Sequence, residues 1–208
     1  LLVGKEGSSE DQMNAMLQIL RNVVLSPKNF DPTDLTATDV VYLFMHLRGK
    51  SVNNVIQLKY RDKEDEQVYD FTLDIDEVQP TITKDRKYDI ELTNGLMVRF
   101  KDPTMKIISS CGMDLDTAKG GAEIDGTQSS AVFKLIANCI EKVWDSKEVY
   151  DDFTEDEAIE FVSNIDIKSF EAIQEFFESA PMLKHEIVYT NSLGNERKIV
   201  LQGIADFF

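Results

Sequence analysis

Two histidines are the imidazole side chains that this sequence offers for acid–base or metal chemistry. His46 lies within an apolar, helix-like stretch, and His185 lies near the last strand-like segment. Neither stands at the spacing of a nucleophile–base pair or of a metal-binding motif. A histidine on an apolar helix is more often a core or interface residue, so we predict a structural role for His46.

Two pairs of aspartates invite a calcium interpretation. Asp74-x-Asp76 and Asp114-x-Asp116 resemble the start of an EF-hand loop, which requires glycine at its sixth position and glutamate at its twelfth. At those positions the two stretches carry Gln79 and Asp85, and Lys119 and Asp125. We therefore predict no metal site.

The remaining reactive residue types form no recognisable catalytic set. Gly120, Gly121 and Gly126 lack the Lys-Ser/Thr of a phosphate-binding loop and the spacing of a dinucleotide fingerprint. The many carboxylates leave a glycoside-hydrolase pair open, but their spacing singles out no particular pair. Cys111 and Cys139 stand outside any Cys-x-x-Cys motif, which indicates reduced thiols. We predict a non-enzyme with no catalytic residue, no cofactor and no small-molecule substrate.

The charge balance argues against nucleic acid as a ligand. The chain has 38 acidic and 22 basic residues and a net charge of −16, which repels phosphates. Acidity is concentrated in residues 145–160, where Lys147 is the one base. Such a run is either a solvated face or a surface for a basic partner. No apolar run reaches the length of a membrane span.

Periodicity predicts that the N-terminal part is helical. A first helix is expected over residues 9–24, and a second follows Thr36 and stops at Gly49 in the left-handed conformation. The core-facing residues of the second helix are predicted to be Val40, Leu43, Phe44 and Leu47.

Antiparallel hairpins are predicted in the centre of the chain. Residues 52–60 and 67–74 flank a charged turn, and their mixed parity suggests a bulge or a strand covered on both faces. Residues 88–92 and 96–100 flank Asn94-Gly95, the preferred pair of a type I′ turn. Residues 112–128 read as a long loop.

Helices and a closing hairpin are predicted for the C-terminal part. Residues 129–143 form one wide apolar face, Thr154 and Glu157 form a capping box, and Asp166 caps a third helix. Residues 184–190 and 196–201 form the last hairpin. This order indicates an α+β fold in a single domain, 1–208, with a sublobe division near residues 103–128.

Four residues are candidates for structural or partner contacts: Arg48, Ser51, Phe207 and Phe208. Arg48 lies at the end of an apolar helix, and the chain turns towards a strand directly after Ser51. We therefore expect Arg48 to make an ion pair or to cap carbonyls near the helix-to-strand turn. Phe207 and Phe208 stand next to each other, so alternation predicts that one fills the core and the other meets a partner. That both pack on their own core is the open alternative.

Several stretches carry structural motifs in a shared order. They are residues 1–11, residues 35–51 with Leu-Thr-x-x-Asp-Val-Val-Tyr-Leu-Phe-x-x-Leu-Arg-x-x-Ser, Asp102-Pro103-Thr104, residues 157–177 and residues 203–208. In this order they resemble the baseplate hub protein family of T-even-type contractile-tailed bacteriophages, over nearly the whole chain.

The resemblance implies a non-enzymatic structural subunit of the baseplate hub, with other baseplate hub proteins as partners. The virion tail baseplate is the implied location, after assembly in the host cytoplasm. Two alternatives remain open: a non-structural chaperone for hub assembly, and a tail-associated hydrolase.

The resemblance also bears on two details of the chain. Some relatives carry cysteine pairs in the turn after the first strand and in the last hairpin, as a zinc knuckle would. Residues 59–64 and 189–194 here contain no cysteine, so ordinary packing is expected to replace a metal. Leu1-Leu2-Val3 reads as the end of a strand, so we expect the natural chain to begin earlier.

Overall fold

The computed structural model describes residues 9–113, 128–202 and 204–207, which form the α+β fold that the sequence predicts. The helices are α1 (Ser9–Val23), α2 (Ala37–Ser51), α3 (Met105–Ser110), α4 (Gln128–Asn138), α5 (Glu155–Ser163), α6 (Ile167–Glu178) and α7 (Ile204–Phe207). The strands are β1 (Val55–Arg61), β2 (Val68–Asp74), β3 (Pro80–Thr81), β4 (Asp89–Glu91), β5 (Met97–Phe100), β6 (Ile140–Trp144), β7 (Val149–Tyr150), β8 (Met182–Thr190) and β9 (Glu196–Gln202).

Contacts along the backbone divide the chain into two compact units. The first unit comprises Leu1–Lys28, Thr38–Ile82 and Pro181–Phe208, and the second comprises Asn29–Ala37 and Thr83–Ala180. The single-domain organisation with a division near residues 103–128 stays a prediction.

The first unit combines helices α1 and α2 with two antiparallel sheets. β1 pairs with β2, and β8 lies between β3 and β9. The buried face of α2 consists of Val40, Val41, Phe44 and Met45. Leu43 is 40% exposed, so its expected place in the core is wrong. Pairs of adjacent residues, one helical turn apart, form the buried face instead.

Gly49 does not end α2, because the helix continues to Ser51. A Cβ atom on Gly49 would lie 2.6 Å from Oδ1 of Asn54, so glycine here allows a close approach of the Asn54 side chain rather than a left-handed stop. The β1–β2 pairing is regular over all seven residues of each strand, which excludes the expected bulge. Val68, at the start of β2, is simply 52% exposed.

The second unit is built on a four-stranded antiparallel sheet in the order β4-β5-β6-β7. The β4–β5 hairpin is confirmed, but its type I′ turn is wrong. Gly95 has a φ of +82°, whereas Asn94 is not among the described residues with positive φ. A single left-handed glycine after an ordinary turn is typical of the three-residue hairpin loop with a bulge.

One predicted helix is partly wrong. The helix over residues 129–143 ends at Asn138, and residues 140–144 form strand β6. The N–H of Lys101 donates to the carbonyl of Cys139 at 2.9 Å, and β6 pairs with β5 directly afterwards. Strand pairing therefore overrides an apolar pattern that suits either structure.

Helices α5 and α6 are confirmed together with their caps. Thr154 and Glu157 form a complete capping box, and Asp166 accepts the N–H groups of Lys168 and Ser169. The second unit's core contains Val98, Phe100, Ile136, Cys139, Ile140, Ala158, Val162, Ile173 and Phe176. Among the described residues, no helix is long and apolar enough to cross a membrane.

Candidate functional site

Arg48 and Phe207 meet in the first unit. Arg48 stands in the last turn of α2, and its Nη1 donates to the carbonyl oxygen of Phe207 at 3.4 Å. The Phe207 side chain is fully buried. Asp206, beside it, accepts the N–H of Gln202 at 2.7 Å. The short helix α7 is therefore fastened by a buried aromatic ring and by polar contacts to α2 and β9.

The other two contact candidates lie apart from this pair or outside the described residues. Ser51 ends α2 and is exposed, and the N–H of Val52 donates to the Arg48 carbonyl at 2.9 Å. The chain then enters β1 at Val55. Phe208 lies outside the described residues. The partner-contact roles of these four residues stay predictions.

The turn of the β1–β2 hairpin contacts the turn of the β8–β9 hairpin, an arrangement that we name the turn junction (residues 62–65 and 189–197). Glu64 accepts the side-chain amides of Asn191 and Asn195, each at 2.8 Å. Asp65 accepts the N–H of Ser192 at 3.0 Å and its hydroxyl at 2.7 Å. These are the turns in which the resemblance implies cysteine pairs for some relatives, and here hydrogen bonds join them.

Asp62 is the buried centre of the turn junction. Its side chain has no exposed surface, accepts the Tyr189 hydroxyl, and lies 3.4 Å from Nε of Arg197. The hydrogen bond from Tyr189, with the N–H of Glu64 and the charge of Arg197, lowers the pKa of Asp62 despite its burial. Burial and the same carboxylate raise the pKa of Tyr189 to about 12.

Asp65 shows the same balance of forces. Burial alone would raise its pKa, but hydrogen bonds from Tyr69, Gln67 and Ser192 outweigh burial and lower it. Both carboxylates are therefore held ionised as hydrogen-bond acceptors. That state suits a structural junction, whereas a general acid needs a raised pKa.

The aspartates of the calcium interpretation serve a turn instead. Asp74 and Asp76 both accept the side-chain amide of Asn54, at 2.9 Å for Asp76. His46 Nδ1 lies 3.7 Å from Asp76, and His185 lies in β8 opposite Leu201. Within the described ranges, no group of three or more His, Cys, Asp or Glu residues is placed to hold a metal ion. Asp114 and Asp116 lie outside those ranges, as do the glycines at 120, 121 and 126.

The two cysteines are buried thiols. Burial raises the pKa of Cys139 to about 12 and also raises the pKa of Cys111. A nucleophilic cysteine needs the opposite shift, since the thiolate is the reactive form. Both side chains therefore act as small apolar core residues.

Sequence reasoning missed Arg86, the main buried charge of the second unit. Its side chain is 5% exposed and lies 2.6 Å from Asp102. It also donates to the Phe176 carbonyl and to Ser179, and its guanidinium stands 4.2 Å from the centre of the Phe176 ring. No local sequence signal points to this ion pair, because Arg86 and Asp102 are 16 positions apart in the chain.

The geometry therefore defines an α+β protein in which the carboxylates with lowered pKa values and the buried thiols serve the fold. All 208 residues match the family model described as T4 bacteriophage base plate protein. The chain belongs to this family of phage baseplate proteins. Comparison with curated proteins and with solved structures found no match.

Proposed function

We propose that the chain is a non-enzymatic structural subunit of the central hub of a contractile tail baseplate. It acts through contacts with other baseplate hub proteins and enters the virion after assembly in the host cytoplasm. The observation that carries this proposal is the family match over the whole chain. The placement in the hub, among baseplate locations, rests on the resemblance of the ordered motifs, including residues 35–51, 102–104 and 157–177, to the baseplate hub family.

The chemistry of the described residues supports the non-enzymatic part. Hydrogen bonds lower the pKa of Glu157 through Thr154 and hold the pKa of Asp166 at about 2 through Ser169 and Thr93. Both carboxylates cap helices. These groups stay ionised at neutral pH and bound to the backbone, as a scaffold requires.

Mass spectrometry of purified tails tests the proposal directly. The phage should carry an affinity tag on this chain, and its intact virions should be chemically cross-linked before digestion. We expect the chain at a fixed ratio to other baseplate proteins, with cross-links to proteins on the tail axis. Cross-links confined to the outer part of the baseplate would refute the hub assignment.

Two further outcomes decide between classes of function. Recovery from infected cells together with absence from mature virions would identify an assembly chaperone instead. Clearing of peptidoglycan in a zymogram by the purified chain would identify a hydrolase. A catalytically inactive tail lysozyme variant serves as the negative control in that gel.

A further inference from the structure

The second unit contains an apolar groove beside the last strand of its sheet. Buried residues Ile140 and Ala158 form its floor, and Val143, Tyr150 and Phe161 line its sides. Its volume is about 290 Å³. That size is at the lower limit of ligand pockets, about 300 Å³, and fits roughly one or two large apolar side chains.

The groove exists because strand β6 contains an irregularity. Val143 pairs with Val98 and Ile140 pairs with Phe100, so the register shifts and Glu141 is the extra residue. A bulge of this kind puts Ile140 and Val143 on one face, although their spacing in a regular strand would separate them. Tyr150 of β7 pairs with Val143, so its ring extends the same apolar face.

One side of the groove is open to solvent. Tyr150 is 46% exposed, and β7 is the last strand of the sheet. Phe153 also lines the groove and is partly buried against the core. An exposed apolar surface next to a sheet edge is typical of a protein-binding site.

The rim of the groove is acidic. Glu157, the one charged side chain among the described lining residues, is kept ionised because hydrogen bonds from Thr154 lower its pKa. Asp151 and Asp152 stand between the lining residues Tyr150 and Phe153 and are exposed. Their carboxylates make no hydrogen bond or ion pair with any described residue. Residues 145–160 contain only Lys147 as a base.

Charge complementarity selects the occupant of this groove. A second copy of the chain, at −16, would be repelled, and so would nucleic acid or an anionic lipid surface. We propose that the groove binds a segment of another protein that carries a large apolar anchor flanked by lysine or arginine. The anchor fills the groove, and the basic flanks pair with the carboxylates of the rim. This inference rests on the proposed function, because it describes the chemistry of one baseplate partner.

Peptide binding to the purified chain tests the groove. The probe is a labelled peptide, Lys-Lys-Gly-Leu-Trp-Leu-Gly-Lys-Lys, measured by fluorescence anisotropy at moderate salt. One control peptide has serine in place of Leu-Trp-Leu, and another has glutamate in place of every lysine. We expect the probe to bind at least about tenfold more tightly than either control, because burial of the apolar anchor and pairing of the lysines with the acidic rim both contribute to affinity.

Matched protein variants locate the binding. D151K/D152K and E171K/E175K make the same change in net charge, but Glu171 and Glu175 lie on α6 and do not line the groove. We expect about tenfold weaker probe binding for the first variant and less than about a twofold change for the second. Tyr150→Ala should also weaken binding about tenfold, while Tyr150→Phe keeps the apolar wall and should bind as the parent does.

Several results would overturn the proposal that the groove binds a protein segment. They are no binding of the probe, equal binding of the serine peptide, or equal weakening by E171K/E175K. Failure of the groove is distinct from failure of the proposed function. If the chain is recovered in virions but binds no peptide, only the proposed binding of a segment in the groove is refuted. If the chain binds the probe but is absent from virions, the structural role is refuted.

Discussion

Replacing Phe207 by alanine is the most informative single change in the first unit. The ring is fully buried in α7, and the same residue's carbonyl accepts a hydrogen bond from Arg48. The substitution keeps the carbonyl but removes the ring that holds α7 in place. Phe208→Ala is the matched comparison, because the sequence predicts that the two adjacent rings divide the core role and the partner role. The alternation expected of a strand does not supply the reason, since Ile204–Phe207 is helical.

The expected loss follows from the complete burial of Phe207. A buried phenylalanine removes about 150–250 Å² from water, which is worth about 4–6 kcal/mol at ~25 cal/mol per Å². Measured Phe→Ala changes in cores cost about 3–5 kcal/mol, so about 4 kcal/mol is expected. For a chain of this length, each kcal/mol lowers the melting temperature by about 2–4 °C, so a decrease of about 8–16 °C should result.

Thermal unfolding followed by circular dichroism measures this decrease, and co-purification with co-expressed baseplate proteins measures partner binding. Phe208→Ala should melt within about 2 °C of the parent, as surface changes do, and should lose its partners. Equal melting temperatures for the two variants, together with equal partner recovery, would refute the division of roles.

Further substitutions test the polar contacts. Arg48→Ala should lower stability by about 1–2 kcal/mol, because a carbonyl in α7 loses its charged donor, and an unchanged urea midpoint would contradict this. Arg86→Ala should cost about 3–5 kcal/mol, because it leaves a partly buried carboxylate without its cation; Arg86→Lys should restore part of the loss. Tyr189→Phe should destabilise most at pH 7. Since the pKa of Asp62 is lowered in the folded state, its stabilisation is present above its unfolded pKa of 3.8 and is lost as the pH falls below that value. The difference in melting temperature should therefore shrink below about pH 4, with Tyr60→Phe as the control, and a pH-independent difference would contradict the assignment.

Local signals predicted much of the fold because they act within one turn of a helix. The capping box of Thr154 and Glu157 and the cap at Asp166 mark the starts of α5 and α6 correctly. Residues 139–143 were mispredicted as helix because Cys139, Ile140 and Val143 continue the helical spacing of the apolar residues before them. Pairing with β5, some forty positions earlier in the chain, decides the outcome.

Contacts between distant residues had no signal in the sequence. Tyr189 and Asp62 are 127 residues apart, and Arg48 and Phe207 are 159 residues apart. Arg48 and Phe207 were both singled out as contact residues, whereas Asp62 and Tyr189 were not. Their pairing depends on how two hairpins and a terminal helix pack, which composition and periodicity do not encode.

The order of folding follows from how the two units are connected. The turn junction joins hairpins that precede and follow nearly all of the second unit in sequence. Closing such a long loop costs more entropy than pairing β4 with β5 through a short turn. Local contacts form faster than distant ones, so we expect the β4–β5 hairpin to be protected first and the turn junction, with α7, to form last. Pulsed hydrogen exchange during refolding measures this order. Protection of the backbone amides of β1, β2, β8 and β9 before those of β5 would contradict it. Substitutions in late-forming contacts such as Phe207 should then mainly speed unfolding rather than slow folding.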